Sequence, residues 1–227
     1  PHNRDGAAMV ESLVAEVRRR PSITILTGAE VVGKAGSFGN YRVSVRIGGE
    51  GSATLEVAVG SIVVATGFDT WNHSAMGEYG YGKYPDVISA IQFERIMNAS
   101  GPTDGHIERP SDGKTPGSIA FLSCVGSRDD CHGHAYCSKV CCMYNAKQAL
   151  LVKDKLHDVE TYVFYMDIRA AGKGYEEFVQ RVQEEEHVLY VRGRVSRVTR
   201  DASGGLTVFG ADTLSGQPVQ VSADLVV

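Results

Sequence analysis

Outside residues 124–142 this sequence has no cysteine, although the chain runs to 227 residues and carries 5 of them. A disulfide framework would spread its cysteines to staple distant elements, and an odd count would leave one over, so that class is excluded. A CxxC dithiol is also lacking, and so is GxGxxG, the turn that holds a dinucleotide pyrophosphate. The longest apolar runs, such as "SIVVATGF", fall far short of a bilayer span. The first residues, "PHNRDGAAMVESLVAEVRRRP", contain no apolar core or cleavage site of a secretory signal. Basic residues are not in excess: 23 Lys and Arg face 27 Asp and Glu, for a net charge of −4. That balance gives no footprint for nucleic acid or an anionic membrane. A cytoplasmic protein without membrane insertion is expected. The chain begins at Pro1 and ends on the apolar "ADLVV", which suggests a fragment.

What is present is a repeat. Residues 5–20 place Ala8, Met9, Leu13, Val14 and Val17 at helical spacing. A strand "ITIL" follows, then "TGAEVVGKAG", the alternating segments "YRVSVRI" and "ATLEVAV" across a Gly-rich turn, and the apolar run "SIVVATG". The same order returns later: helix 174–186, strand "HVLYV", then "RGRVSRVTRD", "LTVFGAD", "PVQVSAD" and a final "LVV". Continuous apolar runs of this kind belong in parallel sheets covered on both faces. The order resembles paired dinucleotide-binding domains of the pyridine-nucleotide-disulfide oxidoreductase type. The fold class expected is therefore α/β, with two incomplete Rossmann-like units, each with a parallel sheet and a small β-meander. Residues 1–67 would be the C-terminal part of an FAD-binding domain, and residues 68–116 an interdomain connection with a helix near 88–98. Residues 117–227 would form a nicotinamide-domain-like unit, truncated at its last strand.

In that last unit "GSIAFLSCVGS" and "ETYVFYMDIRA" read as strands flanking the helix "SKVCCMYNAKQALLVKDKL", a βαβ unit. Where a phosphate-binding turn belongs, Cys124 opens a polar loop instead. Cys137 and Cys141, four apart on the expected helix, would share a face. Cys142 is turned from Cys141 by about 100°, which suits a multi-metal cluster better than one ion. Cys124, at a strand end, could close such a set; Cys131 in its place would make a purely local one. Zinc would ordinarily show paired CxxC or HxxxH spacing, although His132 and His134 are near. A zinc-stabilised interaction domain is thus the bland alternative, and an ordinary FAD/NAD(P)-dependent disulfide oxidoreductase another. For Lys147 a solvated helix lysine is the ordinary reading, and for Trp71 simple packing.

Together, "FLSCVGSRD", "YCSKVCCMYNAKQA" and "DIRAAGKGYEEF" resemble the A subunit of heterodisulfide reductase, an FAD and iron–sulfur protein of anaerobic archaea and bacteria. The resemblance implies a [4Fe-4S] cluster on a C-x12-C-x3-C-C set, here Cys124, Cys137, Cys141 and Cys142, with Cys131 outside it. It implies FAD in the full-length protein, with Ala65, Thr66 and Gly67 near it and Lys147 as a cation close to the flavin ring. It implies an oxidoreductase passing electrons between FAD and the cluster in disulfide and ferredoxin metabolism. Partners would be other redox subunits of such a complex and ferredoxin or hydrogenase-type electron donors, and a homodimer is compatible with it.

Overall fold

The computed structural model describes residues 6–227. It divides into two compact units, the first ending at Phe68 and the second beginning at Asp69.

In the first unit helix α1 spans Gly6–Arg19; Asp5, the expected first residue of that helix, lies outside the described residues. Pro21 is incompatible with its continuation, and Arg18 and Arg19 suit the negative end of its dipole. A three-stranded antiparallel meander follows: β1 (Ala29–Ser37), β2 (Asn40–Ile47) and β3 (Thr54–Val59). Its alternation buries only Val43 and Val45 of β2. The strands expected at "ITIL" and at Ile62–Ala65 are not formed. A strand takes its backbone hydrogen bonds from neighbours, and the meander, the only sheet among the described residues of this unit, already ends at Val59. Val63 and Val64 are accordingly 87% and 79% exposed.

The second unit carries the parallel sheet. Its elements are α2 (Ala90–Met97), β4 (Ser118–Leu122), α3 (Cys141–Lys155), β5 (Glu160–Tyr165), α4 (Tyr175–Glu184), β6 (Leu189–Arg192), β7 (Arg197–Arg200), β8 (Leu206–Asp212), β9 (Gln217–Ala223) and β10 (Leu225–Val226). The sheet order is β10-β4-β5-β6, with every neighbouring pair parallel. The antiparallel ribbon β7-β8-β9 is a separate sheet.

Strand β4 shows why its sequence is apolar throughout. Ile119 and Phe121 point to a core shared with α2, α3 and α4, built on Phe93, Ala146, Val152 and Val182. Ala120 and Leu122 point the other way, to a core shared with the β7–β9 ribbon through Val198, Leu206 and Val208. Period-two alternation thus feeds two buried layers at once. Phe93 meets Phe121 edge-on at 5.5 Å.

The segment read as an interdomain connection is for the most part inside this unit. Ser89 and Gln92 form a reciprocal cap that starts α2. Gln148 of α3 donates to Ala90 O at 3.0 Å and Glu94 Oε2 at 3.1 Å, which ties the two helices together. Residues 86–88 also serve as an edge for β10: Ile88 N–H donates to Val226 O, and Val226 N–H to Asp86 O, both at 2.9 Å. Two strongly apolar stretches therefore find their cover inside one unit. Among the described residues no helix is long and apolar enough to cross a membrane.

Candidate functional site

The C-terminal end of β4 is where an open parallel sheet places its ligands, and three of the five cysteines gather there. Ser123 still joins the ladder through Phe164 O at 2.9 Å. The chain then turns sharply, and Cys124 takes a left-handed conformation with φ 65°. A non-glycine residue held there stores strain, of the kind that clusters at functional sites. Cys124 packs against Cys141 and Cys142, the first two residues of α3; all three are buried, with Tyr144 and Met166 around them.

The three thiols are electrostatically coupled. Cys124 is therefore the first to ionise: the Cys141 hydrogen bond brings its thiol down to about 7, against the penalty of burial. Cys141 and Cys142 are pushed up, each chiefly because it holds its proton against a neighbouring sulfur. Cys142 Sγ also lies 3.4 Å from Asp167 O as a donor. No side chain caps α3 at Val140, and Cys141 and Cys142 sit in its first turn, at the positive end of the helix dipole.

Cys137 is reached differently from the way its spacing suggests. It lies before α3, not on it, because Lys139 has φ 61° and the helix starts only at Cys141. The shared helical face of Cys137 and Cys141 is therefore not formed. The loop before it is a hairpin: His134 N–H donates to Gly126 O at 2.9 Å, Asp129 N–H to His134 O and Arg128 N–H to Tyr136 O, both at 3.1 Å. Cys137 Sγ, half-buried, accepts from Lys139 N–H at 3.3 Å.

Gly126 is the pivot of this loop. At φ 70° it lies under Trp71, so close that a Cβ would fall 2.4 Å from the indole. The packing reading of Trp71 is thereby given a specific partner. The loop tip is held by buried Asp129, whose carboxylate accepts from Cys131 N–H and His132 N–H, each at 3.0 Å, and pairs with Arg194. Arg194 beside it, with those N–H groups, holds Asp129 well below the ordinary carboxylate range. Cys131 is exposed, His132 turns to Asp129, and His134 stacks on Tyr136 at 5.0 Å. Among the described residues no three Cys, His, Asp or Glu donors meet at a single-ion position.

A cavity of about 70 Å³ opens at the seat, lined by Cys124, Cys141, Ser138, Tyr144, Asn145 and His73. Asn145 is buried and donates to Ser123 Oγ at 2.9 Å, which ties α3 to the strand end. Sequence reasoning missed the charged rim. Arg128 Nη1 pairs with Asp167 Oδ2 at 2.7 Å, while Arg192 and Arg169 lie 3.6 and 3.7 Å from the same carboxylate. The available signal was the arginine in "CVGSRDD" and the "DIR" after β5.

The remaining expected site residues lie elsewhere. Lys147 is half exposed and pairs with Glu94 of α2 at 2.5 Å. Ala65, Thr66 and Gly67 are exposed in the first unit, with Gly67 at φ 74°. In donor chemistry, thiolates from a strand end, a loop and a helix start suit an iron–sulfur cluster, whose ligands are cysteine sulfurs.

No family model matches the chain. It is 49% identical over 173 residues to the A subunit of the H(2):CoB-CoM heterodisulfide,ferredoxin reductase of Methanothermobacter marburgensis, covering 76% of this chain and 26% of that protein. It is 48% identical over 177 residues to the iron-sulfur A subunit (form 1) of the CoB--CoM heterodisulfide reductase of Methanopyrus kandleri, again with 76% and 26% covered. The chain thus spans about a quarter of the length of these relatives. Among solved structures, the thioredoxin reductase of T. acidophilum gives a TM-score of 0.44 at 12% identity, over 96% of this chain and 57% of that one.

Proposed function

The chain is homologous to a segment of the heterodisulfide reductase A subunit, and we propose that its second unit is the seat of a [4Fe-4S] cluster held by Cys124, Cys137, Cys141 and Cys142. The observation that carries this reading is the convergence of Cys124, Cys141 and Cys142, all buried, at the C-terminal edge of the parallel sheet. The name of the Methanopyrus relative, an iron-sulfur subunit, supports it. When bound, the cluster supplies one-electron redox chemistry. The chain's own residues do the rest. The left-handed turn at Cys124 packs one sulfur against the helix start, and the 126–136 hairpin leads the chain to Cys137. The three buried thiols release their protons on loading, which makes uptake pH-dependent.

In the parent protein this unit exchanges electrons with FAD, and Ala65, Thr66, Gly67 and Lys147 serve the flavin side. The protein works as an oxidoreductase subunit in the cytoplasm, where reducing conditions keep such thiols free. Its partners are other redox subunits and ferredoxin-type or hydrogenase-type donors. The conversion of a nucleotide-binding turn into a cysteine turn at Ser123–Gly126 argues for electron transfer rather than nicotinamide chemistry at this sheet edge.

Anaerobic reconstitution followed by iron and acid-labile sulfide counts tests the ligand set. Cys124→Ser, Cys137→Ser, Cys141→Ser and Cys142→Ser each lose the four-iron stoichiometry, and Cys131→Ser keeps it. Should Cys131→Ser lose the cluster while Cys124→Ser keeps it, the local quartet replaces this one. Stoichiometric zinc without visible absorption would sink the redox reading altogether.

A further inference from the structure

We infer that Arg128, fixed by Asp167 beside the cysteine seat, is a positioning residue that sets the charge balance of the seat and raises its reduction potential. This rests on the reading above, that the seat holds an iron–sulfur cluster.

Arg128 is anchored at more points than a surface arginine needs. Its backbone sits at φ 57°, and its N–H donates to Tyr136 O at 3.1 Å, next to Cys137. Its guanidinium meets Asp167 Oδ2 at 2.7 Å and is only 26% exposed. The same Asp167 touches the seat through its main chain, where Cys142 Sγ donates to its carbonyl oxygen at 3.4 Å. The carboxylate that holds Arg128 is thus part of the segment that contacts a candidate ligand. Along the chain Arg128 stands four residues after Cys124, and its N–H bonds to Tyr136, the residue before Cys137.

The charge count favours this role over a plain salt bridge. One carboxylate faces three guanidinium groups, of Arg128, Arg169 and Arg192. Two positive charges are therefore left over at the rim. A thiolate-ligated cluster becomes more negative by one charge on reduction, and a fixed cation beside it stabilises that state more than the oxidised one. Arg128 is the least exposed of the three, with side-chain exposures of 26%, 44% and 43% for Arg128, Arg169 and Arg192, so water screens it least. A structural pair would need only one arginine.

The test is an EPR-monitored redox titration of the reconstituted chain, beside its iron and sulfide content. Arg128→Gln is expected to keep the four-iron count and to lower the reduced-to-oxidised ratio at fixed potential by about tenfold, which is about 59 mV for one electron. Arg128→Lys, which restores the charge without the fork, recovers at least half of that shift. Arg169→Gln, more exposed and at longer range, shifts less than Arg128→Gln. If Arg128→Gln does not take up iron, Arg128→Met, which keeps the aliphatic stem, replaces it with the same expectation. A loaded variant with an unchanged potential, or a shift no larger than that of Arg169→Gln, overturns this inference and leaves the cluster assignment standing. Wild-type protein that takes up no cluster overturns both.

Discussion

A cysteine at φ 65° is a conformational expense that glycine would avoid, since the left-handed region costs an L-residue about 1–2 kcal/mol. Its neighbours explain the cost: in this turn its sulfur packs against Cys141 and Cys142 at the start of α3. The cysteine spacing was legible in the sequence because sulfur chemistry is carried by residue type. Arg128 and Asp167 were not, because "RDD" and "DIR" read as solvated charges until the fold brings positions 128 and 167 within 2.7 Å. Asp129 was likewise illegible, and its partner Arg194 lies on the far side of β5 and β6 in sequence. Its carboxyl is held below its ordinary value of 3.8, first by Arg194 and then by the His132 N–H. A depressed folded value means that the ionised pair stabilises the fold fully above about pH 4, and that this contribution fades as pH falls below the unfolded value toward the folded one. Asp129→Asn is expected to lower the melting temperature at pH 7 and to flatten its decline below pH 4. Thermal melts followed by circular dichroism across pH 3–7 measure both, and parallel curves for variant and wild type would exclude the pair as a source of acid sensitivity.

At the scale of elements, helix and meander were readable from periodicity in both units, whereas of the two expected return strands, among the described residues, β10 at Leu225–Val226 enters a parallel ladder and Ile62–Ala65 does not. The start of α3 was not readable. Ser138, Lys139 and Val140 have no strong breaker among them, yet Lys139 adopts φ 61° and the helix waits for Cys141. Lys139 N–H is taken by Cys137 Sγ just ahead of that boundary, a side-chain bond that periodicity does not record. Gly126 tests the hairpin directly. In Gly126→Ala the new Cβ would meet the Trp71 ring at 2.4 Å in a backbone conformation alanine disfavours. A loss of about 2 kcal/mol is expected, from strain of about 1–3 kcal/mol per such site. Because Trp71 is the single tryptophan, urea melts followed by its fluorescence report on this contact, and an unshifted emission maximum would show that the loop simply moves aside. Helix α2 gives the companion case. Phe93→Ala empties a fully buried site against Phe121, with an expected cost of about 3–5 kcal/mol. A cost near zero would mean that the 69–116 segment is a dispensable connection after all.

For the whole molecule, the two units differ in how completely their apolar surface is covered. In the second, both faces of β4 are buried and α2 and residues 86–88 close the sheet. In the first, α1 buries no residue and Ile62–Ala65 joins no ladder among the described residues. The sequence repeat made the two look equivalent, because apolar patterning records what a segment could cover and not whether its neighbours are there. The same contrast separates the two cofactors. Every proposed cluster ligand lies in the second unit, whose backbone is already locked around Cys124, Cys141 and Cys142. Of the proposed flavin contacts, Lys147 lies in the second unit, but Ala65 to Gly67 lie in exposed chain, and the sequence has no GxGxxG to hold a pyrophosphate at a helix start. Hydrogen exchange should therefore find Ile119–Leu122 among the most protected amides and Ile62–Ala65 among the fastest. The chain as it stands should accept an iron–sulfur cluster on anaerobic reconstitution while holding flavin at well below one equivalent after gel filtration. Absorbance and released-flavin fluorescence on the same sample decide the matter. Stoichiometric flavin surviving the column, with residues 62–67 newly protected from exchange, would mean that the ligand itself orders this segment and that the exposed stretch is a seat completed on binding.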